Sequence, residues 1–381
     1  MLATVVCTSS TRPVFWIAFC RRGIAAALRG QHFRVGTKKR ITSFDIAELA
    51  GVSQATVSRA LRGSTQVSEE TRRRVAAAAA TLHYTVDKNA SCLRSNFSGT
   101  LALLFFEDPT PDDSRINPFF LSMLGSITRE CARQGYDLLI SFQELARDWH
   151  ADFAESKKAD GIILLGYGDY LAHASRLERL RAQGTRIVCW GAVLPGQPCV
   201  TIGCDNFNGG RSVTEHLLAQ GCRRIAFLGD ASSHFPEFQE RYRGHLHALR
   251  AHGITIDDAL QVDAESSQYS GRRGVESLLA RGGRFDAIFA ASDLIAIGAL
   301  GALSSRGIEV PDDVAVAGFD DIAMASFVNP PLTTVLQDTG LAGAMLVDSL
   351  LRLIRGKPVA SRMLPMKLVV RDSSRRQTAC A

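Results

Sequence analysis

Seven runs of apolar residues, separated mostly by stretches of helical period, limit most strongly what this chain can fold into. They are TLALLFF (100–106), YDLLISF (136–142), GIILL (161–165), RIVCW (186–190), RRIAFLG (223–229), FDAIFA (285–290) and DVAVAG (313–318). A strand with one wet face alternates polar and apolar residues, whereas a continuously apolar strand must be covered on both faces. Such strands alternating with amphipathic helices predict parallel sheets layered between helices. Roughly 280 residues of this texture exceed what one core usually holds, so two lobes with a cleft between them are expected.

The sequence before residue 98 differs in texture and in charge. Residues 1–97 hold fifteen Lys/Arg against five Asp/Glu, a net of +10, so the remainder carries −4 of the overall +6. Opposite signs at the two ends point to a polyanion-binding head attached to something with another task. Residues 43–82 read as three short helices. Ser43 is the expected N-cap of Phe44–Ala50, Gly51 the turn, and Ser53 the cap of a second helix from Gln54 to Arg62, ended by Gly63 and Ser64. Ser68 opens the third. None is long enough to be stable alone, so they are expected to pack through Ile46, Ala47, Leu49, Val52, Val57, Ala60, Leu61 and Val75. Residues 1–40 lack sustained periodicity; a disordered extension, or a start codon assigned too far upstream, is expected there.

The second of these helices has the chemistry of a base reader. A helix entering the major groove end-on needs small or polar side chains at its start. In SQATVSR, Ser53, Gln54, Thr56 and Ser58 are polar while Val57 turns inward. Arg59 can contact guanine in bidentate fashion, Gln54 can read adenine, and Ala55 can meet a thymine methyl. Ser53, Thr56 and Ser58 suit phosphates. A helical hairpin from some other bundle is the rival, and the nearby positive charge favours double-stranded DNA.

At this point the sequence resembles a known family. SFDIAELAGVSQATVSRALRGSTQVSEETRRRVAAAAATLHY is similar to the DNA-binding domain of the lactose-repressor (LacI/GalR) family, with the pattern D-(V/I)-A-x-x-A-G-V-S-x-x-T-V-S-R-x-L matched from Asp45 to Leu61. The resemblance implies that residues 85–98 form a hinge in which NASCLRS folds on operator DNA and Leu93 wedges into the minor groove. Further matches are NPFF (117–120), DNFNGG (205–210), RRIAFLGD (223–230), RYRGHLHAL (241–249), AIFAASDLIAIGAL (287–300), VPDDVAVAGFDD (310–321) and PPLTTVLQD (330–338). They resemble the family's two-lobed effector domain, itself similar to periplasmic sugar-binding proteins. By that resemblance Arg241, Asp320, Ser292 and Gln337 stand at effector-binding positions and Phe119 at the aromatic position of the first lobe. Trp190, at the end of a strand, can stack on a sugar ring. Asp293 is assigned to structure, as the N-cap of the following helix.

The sequence also excludes classes of function. The nine cysteines show no C-x-x-C pair and no framework spacing, so reduced thiols are expected in place of a disulfide scaffold or zinc site. Nucleophile-elbow, P-loop, H-E-x-x-H and complete G-x-G-x-x-G signatures are missing, and no enzyme, cofactor, metal or catalytic residue is expected. No apolar run reaches the length of about 18 residues that a membrane helix needs. The short run VFWIAFC (14–20) is a poor signal peptide because arginines follow it, so a cytoplasmic protein with no membrane partner is expected.

The expected fold is a small all-α helix-turn-helix head (41–84) and a hinge (85–98). A two-lobed α/β periplasmic-binding-protein-like domain with parallel sheets (99–374) and a tail (375–381) follow. The expected function is a transcriptional regulator, a repressor, acting as a homodimer on operator DNA under control of a small polar metabolite such as a sugar. A sugar-binding protein of a transport system is the alternative. No leucine heptad follows residue 372, so a coiled-coil tetramer is not expected.

Overall fold

Thr42, not Ser43, caps the first helix. In the computed structural model, which describes residues 41–61, 64–84, 97–106, 116–143, 149–166 and 169–376, helix α1 runs Ser43–Ala50. The Thr42 amide and hydroxyl both donate to Asp45 Oδ2, each at 2.7 Å. Asp45 thereby holds the turn closed while its charge sits at the positive end of the helix. Gly51 closes α1 in the left-handed region, φ 62°, where a side chain would be strained. Helix α2 (Gln54–Leu61) is capped by the Ser53 hydroxyl, which accepts from the Thr56 amide at 3.2 Å. Helix α3 (Glu69–Thr81) is capped by Ser68 in the same way.

The three helices close over Ile46, Val57 and Val75, all wholly buried, with Ala47, Ala50 and Ala78 filling the gaps. Leu49 does not join them and is 54% exposed. Ala50 takes the inward position one turn after Ile46, which leaves Leu49 on the rim of the face. The proposed wedge residue Leu93, and the hinge from 85 to 96, lie outside the described residues, as do residues 1–40.

The chain divides into two compact units between Val86 and Asp87. In the second, strand β1 (Thr100–Phe106) leads to helix α4 (Pro118–Arg133), then β2 (Asp137–Gln143), β3 (Gly161–Leu165), helix α5 (Tyr170–Ala182), β4 (Ile187–Trp190) and β5 (Val200–Cys204). Helix α6 (Asn206–Ala219) then opens another layer with β6 (Ile225–Leu228), helix α7 (Pro236–Ala251), β7 (Gln261–Val262), helix α8 (Gln268–Ala280), β8 (Ala287–Ala290), helix α9 (Asp293–Ser304) and β9 (Ala315–Ala317). The chain ends with β10 (Thr334–Gln337), helix α10 (Thr339–Ile354), β11 (Arg362–Leu364) and β12 (Met366–Val369).

Two parallel sheets result, as the apolar runs predict. One is ordered β11-β5-β4-β3-β1-β2 and the other β7-β6-β8-β9. Strands β3, β4, β6, β8 and β9 are buried along their whole length, which is why they read as unbroken apolar runs. Strand β6 is shorter than RRIAFLG suggests. The Arg223 and Arg224 amides are taken by the Asp286 carboxylate at 2.7 and 2.9 Å, ahead of the ladder. The chain passes between the lobes three times: after β5, after β10 and after β11. Strands β10 and β12 pair antiparallel at these crossings.

Candidate nucleic-acid interface and ligand cleft

Helix α2 presents its polar residues unevenly. Val57 is fully buried against α1 and α3, while Ala55 and Arg59 are exposed. The Ser53 and Thr56 hydroxyls bond each other at 2.9 Å, and Gln54 Nε2 donates to Ser43 Oγ at 3.2 Å. Ser58 is half-buried. Gln54 therefore ties the helix start to α1, while Ser53 and Thr56 bond each other within it. Ser53, Ala55 and Arg59 are the exposed residues here, and Arg59 carries the charge.

The predicted effector residues of the second unit form two groups. Arg241, on α7, is 1% exposed although charged. Its Nε donates to Asn206 Oδ1 at 2.9 Å, its Nη1 to the Ala291 carbonyl, and Nη1 lies 3.7 Å from Asp320 Oδ1. The guanidinium stacks over the Phe319 ring at 3.7 Å and reaches Phe238 at 5.3 Å, a cation–π arrangement strengthened by exclusion of water. Gln337 Nε2 donates to Asp320 Oδ1 at 2.6 Å. One charge pair, one amide and one aromatic face thus converge from α7, the β9–β10 segment and β10.

Asp320 is held there at a conformational cost. It and Asp321 have φ of 119° and 52°, the left-handed side that residues with a Cβ avoid. The Asp320 amide donates to the Val335 carbonyl at 2.9 Å, and Asp321 is paired with Arg371 at 2.7 Å. Strain retained by surrounding bonds is typical of ligand sites.

Phe119 and Trp190 form the second group. Their ring centroids are 5.9 Å apart, and both are buried against the apolar core of the first lobe. The Phe119 amide is accepted by Asn117, whose Nδ2 donates to Ser266 Oγ at 3.2 Å; Ser266 in turn donates to Ser292 Oγ at 2.9 Å. This chain of polar contacts runs from one lobe to the other.

The cap expected of Asp293 is supplied by Ser292. Ser292 is the N-cap of α9, its hydroxyl accepting from the Ile295 amide at 3.4 Å. Asp293, the first residue of the helix, is fully buried. It accepts from Thr334 Oγ1 at 2.6 Å and from the Ile322 amide at 2.9 Å, pinning the segment that carries Asp320. Burial, with Asp320 adding to it, pushes the Asp293 carboxyl well above the usual range.

Several contributors have no separate signal in the sequence. Asn206 lies inside the quoted DNFNGG and Asn117 inside NPFF, so both were visible as residues but not as partners of Arg241 and Ser266. Glu237 and Ser266 carry no pattern at all. Glu237 Oε1 accepts from the Ala192 amide at 2.9 Å, a contact across the lobes, and burial raises its carboxyl. A cavity beside it is lined by Tyr170, His173, Trp190, Gln197, Cys199 and Glu237. Among the described residues, no group of three or more His, Cys, Asp or Glu could hold a metal ion. No helix of the described residues is long and apolar enough to cross a membrane.

The comparisons with known proteins match both units. The sequence profile of bacterial regulatory proteins of the lacI family matches residues 44–87, and that of a periplasmic binding protein-like domain matches residues 214–374. The HTH-type transcriptional regulator DegA of Bacillus subtilis (strain 168) is 32% identical over 341 residues, covering 88% of this chain and 98% of DegA. A structure of the transcriptional regulator CelR in complex with cellobiose has TM-score 0.64 and 31% identity, covering 88% of this chain and 100% of that one. The lac repressor dimer, bound to operator and the anti-inducer ONPF, has TM-score 0.71 and 28% identity over 88% of this chain and 99% of its own. These relatives are regulators, not enzymes, and they give no support to a transport protein.

Proposed function

This chain belongs to the lacI family of bacterial regulatory proteins, and from that premise we propose that it is a repressor whose affinity for operator DNA is set by a sugar or similar polyhydroxylated metabolite. The observation that carries the reading is the buried group of Arg241, Asp320 and Gln337, with the Arg241 guanidinium stacked on Phe319. Adjacent hydroxyls of a sugar match a guanidinium and a carboxylate, and its ring face matches an indole or a phenyl ring. A ligand of that kind exchanges the internal bonds of Arg241, Asp320 and Gln337 for its own. Phe119 and Trp190 supply apolar faces on the first lobe, and Ser292 lies at the end of the polar chain between lobes. The structure of CelR is a complex with cellobiose, so a relative of similar length binds a sugar.

In the head, Arg59, Ala55 and Gln54 read bases, and Ser53, Thr56 and Ser58 position the backbone. Leu93 serves as the minor-groove wedge. A homodimer is supported by apolar side chains on the edge of the first sheet: Leu139, Ile140 and Phe142 on β2, with Leu121 on α4, are 38 to 53% exposed. Such an edge needs a covering surface. Operator DNA sets the location as cytoplasmic.

Thermal-shift screening of sugars and other metabolites tests the ligand, because a compound bound only by the native state raises its stability. Mobility shifts across a salt series test the DNA reading. Specific retention that falls steeply with salt is expected, and no retention of any genomic fragment at low salt would refute it.

A further inference from the structure

Beyond the regulatory reading, we propose that Cys189 and Cys199 are a peroxide-sensitive modification site, able to close into a reversible disulfide in the wall of the cavity beside Trp190. Cys189 lies in β4, and Cys199 immediately precedes β5, which pairs with it in parallel. Their sulfurs are 2.9 Å apart. A disulfide needs about 2.05 Å, so a closure of about 0.9 Å joins them.

The two thiols are also chemically unequal, as an attacking and a resolving partner must be. Cys199 is partly exposed beside the cavity, whereas Cys189 is buried. The hydrogen bond from Cys189, helped by Thr201, holds the Cys199 thiol below its ordinary range, while the same contact and burial raise Cys189. Cys131, Cys204 and Cys222 are buried, with thiols pushed up to about 11, 12 and 11, and are poor nucleophiles.

The chemistry balances with a hydroperoxide as the oxidant. The Cys199 thiolate attacks the peroxide oxygen, an S–O bond forms, the O–O bond breaks, and the departing alkoxide or hydroxide takes up a proton. Cys189 sulfur then attacks the Cys199 sulfenic acid. The S–S bond forms, the S–O bond breaks, and hydroxide leaves as water with the Cys189 proton. One peroxide is reduced and two thiols are oxidised; a small-molecule dithiol reverses the step by exchange.

The ring so formed encloses Trp190 and the loop that follows it. In that loop Ala192 donates its amide to Glu237 across the lobes, and Gln197 donates to the Ala192 carbonyl at 2.7 Å. Oxidation therefore stiffens the stretch of the first lobe that carries Trp190 toward the cleft.

Peptide mapping of the full-length chain under non-reducing conditions, after stepwise hydrogen peroxide and alkylation of free thiols, tests this directly. The expected result is a Cys189–Cys199 cross-link, lighter by two hydrogens and lost on adding dithiothreitol. Cys199 should disappear as a free thiol roughly tenfold faster than Cys131, Cys204 or Cys222. In Cys189→Ser, which keeps a hydrogen-bond donor beside Cys199 but no resolving thiol, Cys199 should advance to the sulfinic acid. Sulfinic acid at Cys199 in the unaltered chain, a link from Cys199 to another cysteine, or equal reactivity of all the buried thiols would overturn the proposal. The unaltered chain gives the decisive reading, so a variant that fails to fold leaves the test intact. Neither DNA nor effector binding enters the result, so it stands or falls apart from the regulatory reading.

Discussion

Arg241 and Asp320 face each other at 3.7 Å with side chains only 1% and 2% exposed. Removing one member of a buried ion pair typically costs about 3–5 kcal/mol, because the other charge stays behind unpaired. Arg241→Ala should therefore lower the stability of the second unit by about that amount and not only block effector binding. Chemical denaturation checks it. The double variant Arg241→Met with Asp320→Asn should lose less than the sum of its single changes, and simple additivity would show that the two are uncoupled.

On the head, Arg59→Ala should weaken selective operator binding by about 1–3 kcal/mol, roughly fivefold to 150-fold, while leaving the fold intact. Ser53→Ala should behave differently. It removes the cap of α2, so its loss of about 1 kcal/mol should show in thermal unfolding of the head. Mobility shifts on operator and scrambled DNA separate the two, and an Arg59 variant of unchanged selectivity would take that residue out of base readout.

The crossing of α6 over α7 depends on two glycines. A Cβ on Gly210 would run into the carbonyl of Arg241, and one on Gly244 into that of Phe207. Backbone cannot step aside as a flexible side chain can. Gly210→Ala should destabilise the second unit by about 1–3 kcal/mol or more and displace Arg241 from Asn206. A variant as stable as the parent in urea would show that the helices part freely.

Acid sensitivity should trace in part to His245 and His173. Burial lowers them to about 3 and about 4, against an ordinary 6.5, and Arg176 adds to the effect at His173. Below pH 6.5 the unfolded chain takes up protons at both positions and the native protein does not. Stability from these two residues is then lost as pH falls from 6.5 toward 4, by up to about 1.4 kcal/mol per pH unit for each. Asp293 and Glu237, with raised carboxyls, act in the opposite sense. Comparison with His245→Gln isolates the first residue: its urea-unfolding free energy should vary less steeply with pH by nearly one proton. Parallel curves would contradict the assignment.

The sequence made the layered sheets legible because strands buried on both faces are written as unbroken apolar runs. It made the head legible because caps, turn glycine and inward Val57 repeat at helical spacing. Leu49 was misplaced because an apolar residue three positions from Ile46 looks inward until the neighbouring helices decide which face fills. Strands β5, β7, β10, β11 and β12 escaped notice, being two to five residues long with polar residues or glycine among them. The Arg241 contacts were invisible for a different reason: Asn206, Ala291 and Asp320 are 35 to 79 positions away, and only the folded chain brings them together. Ser292 and Asp293, adjacent in sequence, could not be told apart as cap and anchor, since both residue types favour either role.

Three passages of the chain between the lobes leave little freedom for them to move as separate bodies. Twisting and sliding strain all three connections at once, whereas opening and closing about the line through them bends each only slightly. Opening and closing is therefore the motion these three connections resist least, and a ligand held between the lobes would act by favouring one position along it. Graded effectors would differ in how far they move that balance, not in the kind of motion they produce.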